Sequence, residues 1–183
     1  KRVAVTGMSG ISSLGMGWQE TKDTLANHRS GVSYMNDWDI YDDLKSRLGA
    51  PAVDFELPEH YTRKIRRSMG RVSKMATLIS ELALKDAGLL NHEILTSGEA
   101  GIAYGSATGS PPATADFAEM LLHQSMNKIK ANSYIQMMPH TTSINIALFL
   151  GLIGRVIPTS SACTSGSLAI GYSYETIQMG KQK

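Results

Sequence analysis

Two short apolar segments in this chain each run into a string of small residues and then into a helical pattern. Gly101-Ile102-Ala103-Tyr104-Gly105 is followed by Ser106-Ala107-Thr108-Gly109-Ser110 and then by Pro111 and Pro112. Residues 155–161 lead in the same way into Ala162-Cys163-Thr164-Ser165-Gly166-Ser167. A short apolar run bounded by turn residues reads as a buried strand. Strands that alternate with helices are joined by crossovers, and crossovers build a mainly parallel sheet. This repeated order of strand, small-residue turn and helix predicts an α/β fold.

The other segments fit that frame. Residues 2–6 read as a further strand, ended by Gly7 and the turn Ser9-Gly10-Ile11-Ser12-Ser13. A helix is predicted over 18–27, while residues 32–58 show no period and read as irregular covering structure. Ser68 reads as the N-cap of a long helix reaching about Ala87, with an apolar stripe of Val72, Met75, Ala76, Ile79, Leu82 and Ala83. Pro111 and Pro112 can open a helix over 114–124, because proline is tolerated in a first helical turn. Further helices are predicted over 141–150, closed by Gly151, and over 165–179, closed by Gly180. Three strands are thus visible, and another is expected beyond Lys183. With 183 residues, 42% hydrophobic and 19% charged, there is material for one core. One domain spanning 1–183, with no second domain, is the expectation.

Charge and cysteine usage exclude several function classes. The formal net charge is only +2, too small for nucleic-acid binding across the whole surface. The single cysteine rules out an intramolecular disulfide framework and a multi-cysteine zinc site. The longest apolar stretch, from Ile146 to Ile153, falls well short of the roughly 20 residues a spanning helix needs. A cytoplasmic address, with no membrane span, is expected.

Cys163 is the residue with the most chemistry. Its small neighbours let the backbone turn sharply and let a substrate approach closely. At a helix N-terminus, free amides and the positive end of the helix dipole favour thiolate over thiol and can hold an oxyanion. An inert buried thiol is the other reading, because free cysteine is among the most buried residue types. The stretch Arg63, Lys64, Arg66, Arg67, Arg71 and Lys74 contains no acid. It reads as a solvated helix face, as a dock for an acidic protein, or as a nucleic-acid contact. Nucleic acid is disfavoured by the lack of interleaved aromatics.

Ser161-Ala162-Cys163-Thr164-Ser165-Gly166 resembles the nucleophile motif of the β-ketoacyl–acyl-carrier-protein synthases, the decarboxylating condensing enzymes of fatty-acid synthesis. Val3-Ala4-Val5-Thr6-Gly7, Gly101-Ile102-Ala103-Tyr104-Gly105-Ser106 and Gly151-Leu152-Ile153-Gly154-Arg155 are similar to that family too, in order along the chain. The late position of the cysteine resembles the first- and second-type synthases rather than thiolases. The resemblance implies the first part of a thiolase-like fold of two βαβαβαββ halves, in a homodimer. It implies an acyltransferase in which an acyl group moves from a phosphopantetheine thioester onto Cys163 and malonyl-carrier then condenses with it, initiating or elongating a fatty-acid chain. No resident cofactor or metal is implied, since phosphopantetheine arrives on the carrier. Thr108, Met138 and Ala162 are placed at the acyl site, and Arg63, Lys64, Arg66 and Arg67 at the dock for the acyl carrier protein. Thr108 is a departure, for the second-type enzymes carry an apolar residue there. Met137 and Met138 can equally fill a core.

A larger departure concerns histidine. The family uses two from its second half, and no segment here matches their motifs. Of His28, His60, His92, His123 and His140, the first four read as solvent-exposed. His140, in Met137-Met138-Pro139-His140-Thr141-Thr142, is the one candidate base. Three function classes follow: a condensing enzyme, another thiolase-fold acyltransferase such as a degradative thiolase, and a catalytically silent carrier-binding or chain-length protein.

Overall fold

The computed structural model describes residues 2–183. The described residues divide into two compact units, residues 9–56 and residues 2–8 together with 57–183. In the first, β1 (Ile11–Ser12) and β2 (Gly15–Met16) form an antiparallel hairpin that leads into α1 (Gly17–Ala26). Met16 carries no capping side chain, and its backbone N–H is taken instead by Glu20 Oε2 at 2.8 Å. β3 (Ser33–Tyr34) pairs antiparallel with β4 (Leu48–Gly49). The loop between them is closed at Asp39, whose Oδ1 accepts from the Tyr34 hydroxyl at 2.6 Å and pairs with Arg47 Nε at 2.8 Å. Strands of two residues are too short to show a period, which is why this region read as irregular.

The second unit holds the parallel sheet. Its order is α2 (Arg63–Arg66), α3 (Arg71–Asp86), β5 (Ile102–Gly105), α4 (Pro111–His123), α5 (Ser133–Met137), α6 (Thr141–Leu150), β6 (Val156–Thr159) and α7 (Ser165–Gln178). β5 and β6 run parallel with Ile102 opposite Val156 and Gly105 opposite Thr159. The Ile102 N–H donates to the Arg155 carbonyl and the Ser106 N–H to that of Thr159. The carbonyls of 155 and 159 therefore face β5, and by alternation the backbone nitrogen of Pro158 faces away from it. That is how a strand accommodates a proline. α7 packs on both strands and α3 packs on α6. Under them, Tyr61 stacks on Phe149 with ring centroids 4.4 Å apart and donates its hydroxyl to Glu81 Oε2 at 2.7 Å. Burial first, and the Glu81 carboxylate second, hold the Tyr61 phenol well above its ordinary range.

Three expectations need correction. Residues 2–6 form no strand, and Val5 is 79% exposed. Among the described residues β5 and β6 pair only with each other, so the segment has no strand to join. It runs past the end of α3 instead, where the Met8 N–H donates to Asp86 Oδ2 at 2.9 Å. The long helix begins at Arg71 rather than after Ser68, because Gly70 is extended and separates it from the short α2. Ser68 caps nothing and donates to Asn145 Oδ1 at 2.7 Å. Finally, the deepest positions on α3 are Ser73, Thr77 and Leu78, while the predicted apolar stripe is half-buried.

Gly105 and Gly166 make opposite predictions. A Cβ on Gly105 would collide with the backbone carbonyl of Ser165, which cannot swing aside. Gly105→Ala is expected to cost about 1–3 kcal/mol, as overpacking does. A Cβ on Gly166, in the first turn of α7, meets nothing within 4 Å. Gly166→Ala is expected to be neutral or stabilising by up to about 1 kcal/mol. Urea unfolding of both variants checks the pair.

Candidate active site

The carboxyl ends of β5 and β6 sit side by side, and each hands the chain to a turn that precedes a helix. At the end of β6 the backbone folds sharply, because Ala162 has φ +47°, in the left-handed region a residue with a Cβ seldom enters. Cys163 follows directly and is exposed, with a free thiol. α7 begins two residues on, with no side chain capping its N-terminus.

Hydroxyl groups hold this elbow in shape. Ser165, 3% exposed, bridges both sides of Ala162: its Oγ donates to the Ala162 carbonyl at 2.7 Å and accepts from the Ser161 N–H at 2.8 Å. Thr164 Oγ1 donates to the Ser161 carbonyl at 2.7 Å. Thr159 Oγ1 donates to the Ser165 carbonyl at 2.7 Å, tying the end of β6 to the start of α7. The sequence showed small residues here; the work is done by their hydroxyls as much as by their size.

The second turn carries Thr108. The missing side chain of Gly105 brings its start against Ser165, and Gly109 lies in backbone contact with the Met137 carbonyl. Thr108 is exposed and Met138 half-buried, and their turns meet through that contact. The structure thus gathers Cys163, Ala162, Thr108 and Met138 around the two strand ends. The basic residues are elsewhere. Arg63, Lys64, Arg66 and Arg67 are exposed on and just after α2, and none forms an ion pair among the described residues. α5, which sequence reading missed, links the two places. Gln136 Nε2 donates to the Arg67 carbonyl at 3.1 Å, and its own carbonyl accepts from the Ser110 N–H at 2.9 Å.

The histidines stand apart from the thiol. His140 is exposed at the N-cap position of α6, where its carbonyl accepts from Ser143 Oγ at 2.7 Å. His60 and His92 are more than solvated side chains. His60 Nε2 lies 2.8 Å from Glu81 Oε1, and His92 Nδ1 accepts from the Ile94 N–H at 3.1 Å. No hydrogen bond or ion pair joins a histidine to Cys163 among the described residues, and no group of three or more metal-ligating side chains is found among them. No helix there is long and apolar enough to cross a membrane. Clefts of about 650 and 520 Å³ lie beside Glu81 and beside the end of α3, and Cys163 lines neither.

The profile of the family described as "Beta-ketoacyl synthase, N-terminal domain" matches residues 1–183. The chain belongs to the beta-ketoacyl synthase family. A beta-ketoacyl synthase from Burkholderia phymatum STM815 has a similar crystal structure, with TM-score 0.94 and 51% identity, matched over 100% of this chain and 45% of that one. The 3-oxoacyl-[acyl-carrier-protein] synthase 2 of Synechocystis sp. is 30% identical over 100% of this chain and 44% of its own length. The ishigamide ketosynthase/chain length factor shares the fold, with TM-score 0.82 at 24% identity over 100% of this chain and 45% of that one. The chain therefore spans a little under half the length of these relatives. Its fold is thiolase-like, as the motif resemblance implied, and the matched part is the amino-terminal half.

Three substitutions test the elbow of this synthase domain. Ser165→Ala removes both the acceptor of the Ser161 N–H and the donor to the Ala162 carbonyl, and is expected to cost about 1–3 kcal/mol for the two bonds. Ala162→Gly is expected to be tolerated, whereas Ala162→Val, β-branched at positive φ, is expected to lose about 1–3 kcal/mol. Denaturant unfolding ranks the three, and equal stability of Ala162→Gly and Ala162→Val would show that the positive φ carries no strain.

Proposed function

We propose that this chain supplies the nucleophile of a decarboxylating condensing enzyme, an acyltransferase of fatty-acid synthesis. The observation that carries the reading is Cys163, exposed on a strained elbow at the uncapped start of a helix. The names of its relatives, 3-oxoacyl-[acyl-carrier-protein] synthases 1 and 2, support it. In the first half-reaction Sγ of Cys163 attacks the carbonyl of an acyl thioester. The carrier thiolate leaves with its proton restored and the acyl group stays on sulfur. The positive end of the α7 dipole favours the tetrahedral oxyanion. In the second, malonyl-carrier loses carbon dioxide, and the resulting carbanion attacks the acyl-cysteine to give β-ketoacyl-carrier and free thiol. Thr108, Met138 and Ala162 border the acyl chain. The two histidines the family resemblance implies are matched by no segment of these 183 residues. A cytoplasmic homodimer is part of the same reading.

Arg63, Lys64, Arg66 and Arg67 form the dock for an acidic acyl carrier protein. Their exposure and lack of ion pairs support this, because charge left unpaired at a surface steers an oppositely charged partner. A carrier-binding or chain-length protein is the second reading, favoured by the fold shared with the ishigamide ketosynthase/chain length factor. It requires no acyl-cysteine.

Incubating the full-length protein with acyl-carrier is expected to add the acyl mass to the peptide containing Cys163 and to protect it from iodoacetamide. Cys163→Ala is expected to abolish both the adduct and β-ketoacyl product. Intact mass spectrometry decides between the readings, since an unmodified Cys163 belongs to the silent protein.

Reversing Arg63, Lys64 and Arg67 to Glu is expected to raise KM for carrier-bound substrate on the order of tenfold, from surface pairs worth about 0.2–1 kcal/mol each. Turnover of a small free thioester is expected to be spared, and the salt dependence of carrier binding to weaken. Steady-state kinetics at two ionic strengths measure this, and unchanged carrier kinetics would return the patch to a solvated face.

A further inference from the structure

The basic helix α2 has only four residues, too few to hold a helix together in water unaided. It is pinned from outside at both ends. Tyr61, just before it, is 2% exposed, stacks on Phe149 of α6 and donates to Glu81 of α3. At the other end, the Arg67 carbonyl lies in the last turn, where carbonyls lack partners within the helix. Gln136 Nε2 of α5 donates to that carbonyl at 3.1 Å. The next residue, Ser68, is fixed to Asn145 Oδ1 of α6 at 2.7 Å.

α5 is also short, and its surroundings hold it too. Ser133, 3% exposed, accepts from the Lys130 N–H at 3.0 Å. Thr141 Oγ1 of α6 lies 2.6 Å from the Ile135 carbonyl and 2.7 Å from that of Met138. Held in this way, Gln136 serves two partners at once. Its side chain bonds the end of α2, and its own carbonyl accepts from the Ser110 N–H at 2.9 Å. Ser110 is 4% exposed and ends the turn that carries Thr108. Within that turn Ser106 Oγ donates to the Thr108 carbonyl at 2.8 Å. Packing around the junction is close, for a Cβ on Gly70 would strike the Ser110 side chain and one on Gly109 the Met137 carbonyl. Interiors packed to this density transmit a displacement rather than absorb it. The end of α2 and the Thr108 turn therefore keep a fixed separation, set through Gln136.

We propose that Gln136 is a positioning residue that couples the carrier dock to the acyl-site turn. A docked carrier presents its thioester from wherever α2 holds it, and displacing a bound reactant by about 1 Å costs rate more than affinity. The four cations of α2 supply the attraction, and Gln136 supplies the register between that surface and the turn. The proposal rests on the reading of Arg63, Lys64, Arg66 and Arg67 as the carrier dock and of Thr108 as an acyl-site residue.

The test uses full-length protein with Gln136→Met, which keeps the side-chain length without an N–H, and Gln136→Lys, which restores one. With acyl-carrier as substrate, Gln136→Met is expected to slow Cys163 acylation at saturation on the order of fivefold, the scale of one hydrogen bond, with KM unchanged. Charge reversal on α2 has the opposite signature. Gln136→Lys is expected to recover most of the saturating rate, while its added charge lowers KM. A small free thioester needs no dock and is expected to react at the wild-type rate with both variants. Hydrogen exchange at the Ser110 amide, which donates to Gln136, reads the coupling without acylation. Saturating carrier protein bearing no acyl group is expected to slow that exchange about threefold in wild type and to leave it unchanged in Gln136→Met. A raised KM with an unchanged saturating rate makes Gln136 part of the dock and overturns the coupling. Equal losses with carrier and free thioester overturn it as general destabilisation. A wild-type Ser110 amide indifferent to carrier, or one that still responds in Gln136→Met, overturns it as well. Failure of wild-type protein to acylate Cys163 overturns the proposed function, and the exchange comparison still decides the coupling.

Discussion

The packing of β5 against the first turn of α7 governs the site. The two elements can approach only because Gly105 has no side chain where the Ser165 carbonyl passes. That contact places the turn after β5 beside the turn after β6, and the Ser165 carbonyl it uses is the same one that accepts from Thr159. A parallel pair needs a long crossover, here α4, α5 and α6, so the two turns lie far apart in sequence and meet only through the sheet. Widening the β5–α7 gap by a methyl group would move Thr108 relative to Cys163 even though both loops kept their own hydrogen bonds.

Much of this arrangement was legible in the sequence. The strands at β5 and β6 stand out because apolar runs end in small residues, and α4, α6 and α7 because proline or glycine marks their ends. The thiol stands out as the only one, set among residues too small to shield it. Its exposure and the left-handed backbone at Ala162 were not readable, since alanine carries no preference that announces a positive φ. Residues 2–6 misled for a related reason: a short apolar run reports that a segment could pair, and not whether a partner strand lies beside it. α5 was missed because a helix of five residues, Ser133–Met137, is too short to show a period, and its position is set by tertiary bonds to Arg67 and Ser110.

The polar core between α3 and α6 shows why hydrophobic patterning alone reads a helix incompletely. On α3 the stripe of Val72, Met75, Ala76, Ile79, Leu82 and Ala83 marks a half-buried flank, while Ser73 and Thr77 occupy the deepest positions. Thr77 returns its proton to the Ser73 carbonyl at 2.7 Å, so its hydroxyl is satisfied within its own helix. Ser73 instead reaches across to Thr142. A core bonded this way is sensitive to register, because sliding α3 by one residue would leave several hydroxyls unpaired. Hydrocarbon would tolerate such a slip far better.

The strained elbow bears on whether the chain is a catalyst or a silent binder. A left-handed alanine costs on the order of 1–3 kcal/mol, and the surrounding structure must hold it in place. Here that means a nearly buried Ser165 bridging both flanks and Thr164 closing the turn beside it. A protein that only recognised a carrier through the proposed dock would gain nothing from this geometry, because Arg63, Lys64, Arg66 and Arg67 lie on and just after α2. A nucleophile gains directly. The bend leaves the thiol exposed at the start of α7, where the positive end of the helix dipole favours negative charge. The strain, the hydroxyl bridges and the uncapped helix start would be wasted separately, and together they fit acyl transfer to Cys163.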